Sequence, residues 1–557
     1  MLKIRLFCGL VFILIFSLNA QADKVIMSGQ VKNIYGEGIQ FARLNLYVDG
    51  QPYPLKGELK TSKEGNFLIK LSPEKIKEGK IGIKITKPGY QPLFKEIQGE
   101  KVTPKGDIYY GYLETVLIRK FGVAFYLATT ILIISFLFIA FDVVHRTLAA
   151  FIGAALMLFI SYTIGTFNPD YFIISFEEAI ASIDFNVIFL LMGMLIIVGI
   201  MKTTGIFQWM AYKSYQLSKG NIWYLVVILM VITGIISAFL DNVTTILLLA
   251  PVSIEIALVL GINPMALLIP EIFASNVGGT ATLIGDPPNI IIGSYANLTF
   301  NDFIIHLTPV VIVAMVALII MIKFYYGREF KKVEKIEEIE GLLKRLKEEY
   351  QITDVRLLTL SLFILGLVIL LFVLHGILHM EVSIAAMIGA STLLLFSKVD
   401  IIKMIEEVEW TTLVFFMMLF IIIGGVQEVG LIHTITDMVK NLSSGNLIMA
   451  ILLIIWITAF MSSIIDNIPF TATMLSVVAY LTKTIPGAEN NVLWWALSLG
   501  ACFGGNGSLI GASANVITIG ILERYGHSVT FFYFLKIGLP VMIITTIIAS
   551  LWLLLFT

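Results

Sequence analysis

Charged residues make up only 14% of this 557-residue chain, against about 25% in soluble globular proteins. So little solvating surface excludes a cytosolic enzyme and an intrinsically disordered protein. Neither sign is in excess: 38 Lys and Arg stand against 39 Asp and Glu, a net charge of −1. That excludes a nucleic-acid binder that works by neutralising phosphates. Cysteine is nearly absent. Cys8 falls in a segment expected to be removed, which leaves Cys502 alone and rules out an intrachain disulfide or a cysteine metal cluster. What is present is apolar surface, 58% of residues, with 44 glycines and 21 methionines. This is the composition of a polytopic membrane protein. Half of the 38 Lys and Arg lie in residues 1–120, so a soluble piece precedes the membrane piece.

At the amino end, Lys3 and Arg5 precede an apolar run from Leu6 to Leu18, and Ala20-Gln21-Ala22 offers a small-x-small cleavage site. Residues 1–22 therefore read as a signal peptide cut before Asp23, with an uncleaved signal anchor as the alternative. From residue 23 to 118 the pattern changes. Short period-two runs (Ala42 to Val48, Phe67 to Leu71, Ile81 to Ile85) alternate with turn residues at Gly36, Asp49-Gly50, Glu64-Gly65-Asn66 and Pro88-Gly89. That spacing predicts a small all-β sandwich on the exported side. No constellation of His, Ser or carboxylates in it carries chemistry, so it reads as a spacer or interaction module.

From residue 121 onward, apolar runs long enough to cross about 30 Å of hydrocarbon follow in series. Spans are expected near 121–141, 148–167, 184–202, 265–292, 304–322, 357–374, 382–397, 411–426, 493–521 and 537–556. Two further stretches, 222–258 and 446–480, read equally as two spans or as one re-entrant hairpin. With the amino end outside, seventeen Lys and Arg fall on inside loops, Arg146 among them, and Lys440 and Lys483 on outside loops, with Arg119 and Lys120 at the start of the first span as an exception. This is the positive-inside pattern. The charged stretch from Phe330 to Tyr350 reads as an amphipathic helix in a cytoplasmic linker, 323–356, between two halves, 119–322 and 357–557.

The halves repeat. A shift of 225 superposes Gly205 on Gly430, Ser237 on Ser462 and Asp241-Asn242 on Asp466-Asn467. A shift of 226 superposes Gly278-Gly279 on Gly504-Gly505, Leu283-Ile284-Gly285 on Leu509-Ile510-Gly511, and Asn289 on Asn515. The first repeat holds an odd number of net spans, so the second enters from the opposite face. Such inverted-topology repeats are typical of secondary transporters.

Each repeat carries two unusual elements. One is an Asp-Asn pair inside an apolar stretch: Asp241-Asn242-Val243-Thr244-Thr245, and Asp466-Asn467 followed by Thr471. A carboxylate at membrane depth costs several kcal/mol unless it faces protein, water or an ion. The other breaks a span: Ser275, Asn276, Gly278, Gly279, Thr280, Thr282, Gly285, Asp286, Pro287-Pro288 and Asn289, matched by Gly504, Gly505, Asn506, Ser508, Gly511, Ser513 and Asn515. Non-helical backbone is tolerated in a membrane only where it lines a cavity or binds something. Its carbonyls, with Ser, Thr and Asn side chains, make an oxygen-rich shell suited to Na⁺. Asp241, Asn242, Gly278 and Asn289 are the candidate Na⁺ ligands. Asp241, Asp286, Glu271 and Asp466 are the candidate proton-coupling acids, with Glu271 either a relay or the partner of a nearby hydroxyl. The predicted membrane core holds these acids and Glu255, and no Lys or Arg.

These runs resemble the ion transporter superfamily, in the branch holding arsenite permeases, D-type sodium–proton antiporters and the melanosomal P protein, with a citrate-transporter-like domain. The second-repeat motifs resemble those of the P protein. The resemblance covers residues 120–557. It implies about ten transmembrane spans plus two re-entrant hairpins whose tips meet two broken helices, a scaffold that usually forms a homodimer, and an elevator-like transport domain. Dicarboxylate carriers of the wider superfamily carry Ser-Asn-Thr at the tips; Asp-Asn here departs from them and argues against dicarboxylates. The amino-terminal Gly29-Gln30-Val31, Gly38-Ile39, Gly65-Asn66-Phe67 and Lys87-Pro88-Gly89-Tyr90 resemble the carboxypeptidase regulatory-like sandwich.

The leading expectation is therefore an all-α transporter in the plasma (inner) membrane, in contact with lipid and a small ion. It exchanges Na⁺ for H⁺ and uses no cofactor or nucleic acid. A Na⁺- or H⁺-coupled anion permease, of citrate-like, arsenite or chloride type, is the same-fold rival. A membrane sensor with a ligand-binding β-domain is the rival of another class. No nucleotide loop or nucleophile–base set supports an enzyme.

Overall fold

The computed structural model describes residues 25–33, 36, 38–54, 58–71, 81–87, 89–97, 102–105, 108–118, 121–141, 143–331, 350–406 and 408–555. The expected signal peptide, the flanking Arg119 and Lys120, and most of the expected linker helix (332–349) lie outside them. The chain forms a β-rich unit and a helical unit.

In the β unit, side chains alternate between faces: along β2 (Arg43–Val48) Leu44 and Leu46 are buried while Arg43 and Asn45 are exposed. With β1 (Val25–Lys32), β3 (Gln51–Tyr53), β4 (Asn66–Leu71), β5 (Ile81–Thr86), β6 (Leu93–Ile97), β7 (Val102–Lys105) and β8 (Ile108–Val116), it forms two four-stranded sheets, ordered β4-β1-β8-β7 and β3-β2-β5-β6. All neighbours pair antiparallel except β1 and β8, which run parallel from Val25 opposite Tyr109 to Lys32 opposite Val116. Both sheets feed one core, with Met27, Val31, Phe67 and Leu113 from the first and Leu44, Leu46, Ile83 and Ile85 from the second. The sandwich read from turn spacing is present. Gly29 has no room for a side chain, because a Cβ there would strike the Leu113 carbonyl and the Phe67 ring.

Leaving aside pieces of six residues or fewer, the described residues of the helical unit form eighteen helices. The first nine are α1 (Val123–Ala140), α2 (Arg146–Tyr162), α3 (Phe185–Lys202), α4 (Ile206–Ser218), α5 (Ile222–Phe239), α6 (Asn242–Val259), α7 (Met265–Gly279), α8 (Pro287–Ala296) and α9 (Phe300–Lys331). The second nine follow in the same order: α10 (Val355–Leu378), α11 (Val382–Ser397), α12 (Trp410–Val429), α13 (Leu431–Ser443), α14 (Leu447–Ile464), α15 (Asn467–Thr484), α16 (Val492–Gly504), α17 (Ser513–Arg524) and α18 (Phe531–Leu555). Local chemistry repeats with them. Asn221 caps α5 through the Tyr224 amide and Asn446 caps α14 through that of Met449. Gly205 and Gly430, both at positive φ, make the corner before α4 and α13.

Among the described residues, ten helices are long and apolar enough to cross a membrane: α1, α2 with its extension to Phe167, α3, α5, α6, α9, α10, α12, α14 and α18. The total matches the sequence reading, but the set differs. The stretches 222–258 and 446–480 each become two 18-residue helices, about 27 Å long at 1.5 Å per residue. The spans read at 265–292 and 493–521 are each split in two, and 382–397 is a shorter apolar helix. The protein is a multi-pass membrane protein.

The repeats interlock. α2 packs on α12 and α3 on α11, so the second helix of each repeat lies against the third of the other. Small residues allow the approach: Gly153 meets Ile422, Gly425 meets Met157, and Gly193 meets the Ala386 backbone. Within each repeat, α5 packs on α7 and α14 on α16. A Cβ on Gly278 would collide with the Gly234 backbone, and one on Gly504 with the Ala459 backbone.

Candidate functional site

The two Asp-Asn pairs end up as helix caps. α5 stops at Leu240 in extended conformation, and Asp241 caps α6 by accepting hydrogen bonds from the Thr244 amide at 2.9 Å and the Thr244 hydroxyl at 2.5 Å. Asp466 likewise caps α15, accepting from the Ile468 amide at 3.1 Å. A short polar side chain that caps its own helix lets the chain reverse within two residues. Each Asn, the first helical residue, then points from the tip toward the broken helices.

Between α7 and α8, and between α16 and α17, the chain leaves the helix for several residues. The loops are knitted by matching bonds. Asn289 donates to the Thr280 and Thr282 carbonyls at 3.1 and 2.8 Å, and Asn515 to those of Gly505 and Ser508 at 2.7 and 2.9 Å. Thr282 bonds the Ala238 carbonyl and Ser508 that of Ser463. Ser237 donates to the Ser275 carbonyl at 2.9 Å, and Ser462 to that of Ala501 at 2.6 Å. Gly285 and Gly511 sit against the backbone of Gly279 and Gly505, where a Cβ would intrude. These residues satisfy the backbone that the broken helices expose.

Asp286 ends the first loop, fully buried. Its Oδ1 accepts from the Asn242 amide at 3.3 Å and the Asn467 amide at 3.4 Å. Tips from both repeats therefore converge on one carboxylate. Asn276 extends the network, accepting from Asn242 at 3.1 Å and donating to Asn506 at 2.9 Å and Asn515 at 3.0 Å. Thr280 and Thr471 donate to carbonyls of their own helices, at Asn276 and Asn467. Ser275 bonds the Ser237 hydroxyl and the Asn242 carbonyl. Asn289 also accepts from Ser498 at 2.5 Å, which commits its oxygen to the fold. The Gly278 carbonyl bonds the Ala281 amide. Of the four candidate Na⁺ ligands, Asp241 and Asn242 face the open pocket. Thr245 and Glu271 are fully buried away from the network.

The pocket beside the tips is lined by Arg146, Asp241, Asn242, Glu409, Thr412, Asn467 and Ser513, with apolar side chains between them. Arg146 corrects the expectation that the acids have no basic partner. Its guanidinium stands 3.8 Å from the Asp466 carboxylate, donates to Ser513 and to Thr412 (3.2 Å), and lies 5.4 Å from the Phe415 ring centre. Ser513 donates in turn to Asp466 at 2.5 Å. Arg146 and Glu409 escaped the sequence reading because each begins an apolar helix, where a charge reads as a loop residue that sets orientation. The signal available was the repeat itself: α11 begins with Val382 where α2 begins with Arg146, so the arginine has no counterpart. Among the described residues, no three His, Cys, Asp or Glu side chains come close enough to share a metal ion. A cation here would be held by one carboxylate with amide and hydroxyl oxygens.

A family model described as citrate transporter matches residues 136–500. The chain belongs to the citrate transporter family. An uncharacterized transporter of Mycobacterium tuberculosis is 39% identical to this family member over 427 residues, covering 76% of this chain and 97% of the relative. Human P protein is 34% identical over 503 residues, covering 77% of this chain and 59% of its own length. Among solved structures, the YdaH transporter of Alcanivorax borkumensis aligns with a TM-score of 0.49 at 15% identity, over 74% of this chain and 98% of that one. The resemblance read from the Asp-Asn and glycine motifs thus agrees with the family, and the membrane part of this citrate transporter family member is a transporter domain.

Proposed function

We propose that the protein is a secondary active transporter that exchanges Na⁺ for H⁺ by alternating access. The observation that carries this reading is the buried Asp286 carboxylate, reached by Asn242 and Asn467 from both repeats. Asp241 and Glu409 line the pocket beside the tips together with Arg146, whose guanidinium stands 3.8 Å from Asp466. An excess of acids in an apolar interior suits a site whose occupant is a cation. In this reading the second repeat is inverted relative to the first, the β unit lies on the exported side, the 323–356 segment is cytoplasmic, and the chain works as a homodimer. Asp241 and Asn242 take the ion directly, and the broken helices supply oxygens as they rearrange.

Arg146 favours a second reading, an anion carrier coupled to Na⁺ or H⁺. A guanidinium and the amides of Asn242 and Asn467 could hold a carboxylate or oxyanion in the same pocket. Purified protein in sealed vesicles separates the two. Na⁺-driven dissipation of a pH gradient, lost in Asp241→Asn, supports exchange. Counterflow of labelled citrate or arsenite without Na⁺-driven proton movement supports the anion carrier.

A further inference from the structure

The repeat provides an internal control. Several related positions of like chemistry make corresponding bonds, as Asn289 to the Thr282 carbonyl and Asn515 to that of Ser508. Thr245 and Ser253 on α6 and Glu271 on α7 depart from that pattern. Shifts of 225 and 226 place Phe470, Val478 and Leu497 at these positions in the second repeat. All six side chains are buried. Apolar residues therefore fill the same places without loss, and packing does not require polar atoms in the first repeat.

Those polar atoms are also unspent. The hydroxyls of Thr245 and Ser253 and both oxygens of Glu271 have no hydrogen-bond partner. The Ser253 hydroxyl lies beside the Glu271 carboxyl without closing a hydrogen bond. The helices packed on α7 are α5, α6, α9, α16 and α17. Their titratable groups include Tyr224, Asp241, Glu255, Asp302, His306, Lys323, Tyr325, Tyr326, Arg328, Glu329, Cys502, Glu523 and Arg524. None of these hydrogen-bonds the Glu271 carboxyl. A neutral carboxyl fits such a place, and a carboxylate does not.

Glu271 also shares a rigid helix with the ion site. One turn along α7, Ser275 bonds the Asn242 carbonyl and Asn276 accepts from the Asn242 amide. We propose that Glu271, seated against Ser253, is a proton-binding site of the transport cycle, physically separate from the ion site at the tips. The inference deepens the sodium–proton reading and rests on it. Binding forms one O–H bond on the Glu271 carboxyl. Release breaks that bond and passes the proton to water admitted when α6 and α7 part. The proton and the ion then communicate through α7, not by competing for one carboxylate.

The test uses the full chain in proteoliposomes, comparing Na⁺-driven proton movement with exchange of labelled Na⁺ across vesicles of equal pH. Glu271→Gln is expected to lose proton movement about tenfold or more, within the range of a coupling between two sites, while labelled Na⁺ exchange continues and loses its pH dependence. Ser253→Ala is expected to shift the pH profile of proton movement, and an unchanged profile counts against the seat given to Glu271. A Glu271→Gln protein that couples normally, or loses both activities equally, overturns the proposal. Infrared difference spectra between low and high pH give a readout independent of Na⁺: a protonated-carboxyl band in the parent that is absent from Glu271→Gln. If that band persists in the variant, the proposal fails. If the parent moves no protons with Na⁺ but the band behaves as expected, the exchange reading fails and the proton site stands.

Discussion

The Arg146 guanidinium and the Asp466 carboxylate, 3.8 Å apart, join the start of α2 to the cap of α15. Both side chains are largely withdrawn from solvent, at 19% and 8% exposure. The pair therefore bridges a helix packed on α12 to the corner between α14 and α15. A guanidinium so placed occupies the position that a bound cation would take beside Asp466.

Replacing it tests that substitution of one cation for another. Arg146→Ala leaves Asp466 without its counter-ion and is expected to cost about 1–3 kcal/mol. Thermal unfolding in detergent without Na⁺ reads the loss. Added Na⁺ is expected to restore part of it in the variant, because a ligand bound only to the folded state stabilises it. A variant as stable as the parent, with or without Na⁺, contradicts the role given to the pair.

Asn276 bonds Asn242, Asn506 and Asn515, and so ties both broken-helix loops to one tip. Asn276→Leu leaves three buried amides short of a partner and is expected to cost about 2–4 kcal/mol. Ion exchange should fall with stability, since the same network positions Asn242 on Asp286. Unfolding midpoints together with vesicle transport check both effects.

The glycines divide by what surrounds them. A Cβ on Gly278 meets the Gly234 backbone, while Gly366, in the middle of α10, has open space. Gly278→Ala is expected to destabilise by about 1–3 kcal/mol through overpacking. Gly366→Ala should stabilise by about 0.5–1 kcal/mol as helix propensity improves. Opposite shifts in the unfolding temperature of the two variants bear this out; equal shifts do not.

The β unit has its own core, centred on side chains such as Phe67 and Ile83. Phe67→Ala is expected to cost that unit about 3–5 kcal/mol and to expose residues 25–118 to limited proteolysis. Vesicle transport should be unchanged, in keeping with a module that carries no transport chemistry. Loss of transport at an intact helical unit would assign the β unit a direct part in the cycle.

Much of this was legible in the sequence because the repeat doubles every signal. Asp241-Asn242 and Asp466-Asn467, or Asn289 and Asn515, stand out only when one half is laid on the other. Their separate duties were not legible: Asn289 and Asn515 hold loop carbonyls, whereas Asn242 and Asn467 reach Asp286. Hydropathy could not divide 222–258 or 446–480, since an 18-residue arm is long enough for either a span or a hairpin. Arg146 was misread for a related reason. Sorting charges by loop assigns every arginine at a helix start to orientation, and only a long-range contact reveals that this one turns inward to Asp466.

Asp286 is where the account is most exposed. The decisive measurement is Na⁺-driven dissipation of a pH gradient in proteoliposomes holding either the parent protein or Asp286→Asn, which keeps the shape and removes the charge. The account predicts rapid, Na⁺-dependent dissipation by the parent and none by the variant, with both proteins folded. Equal dissipation by the two, or no Na⁺-dependent proton movement by the parent, would contradict it.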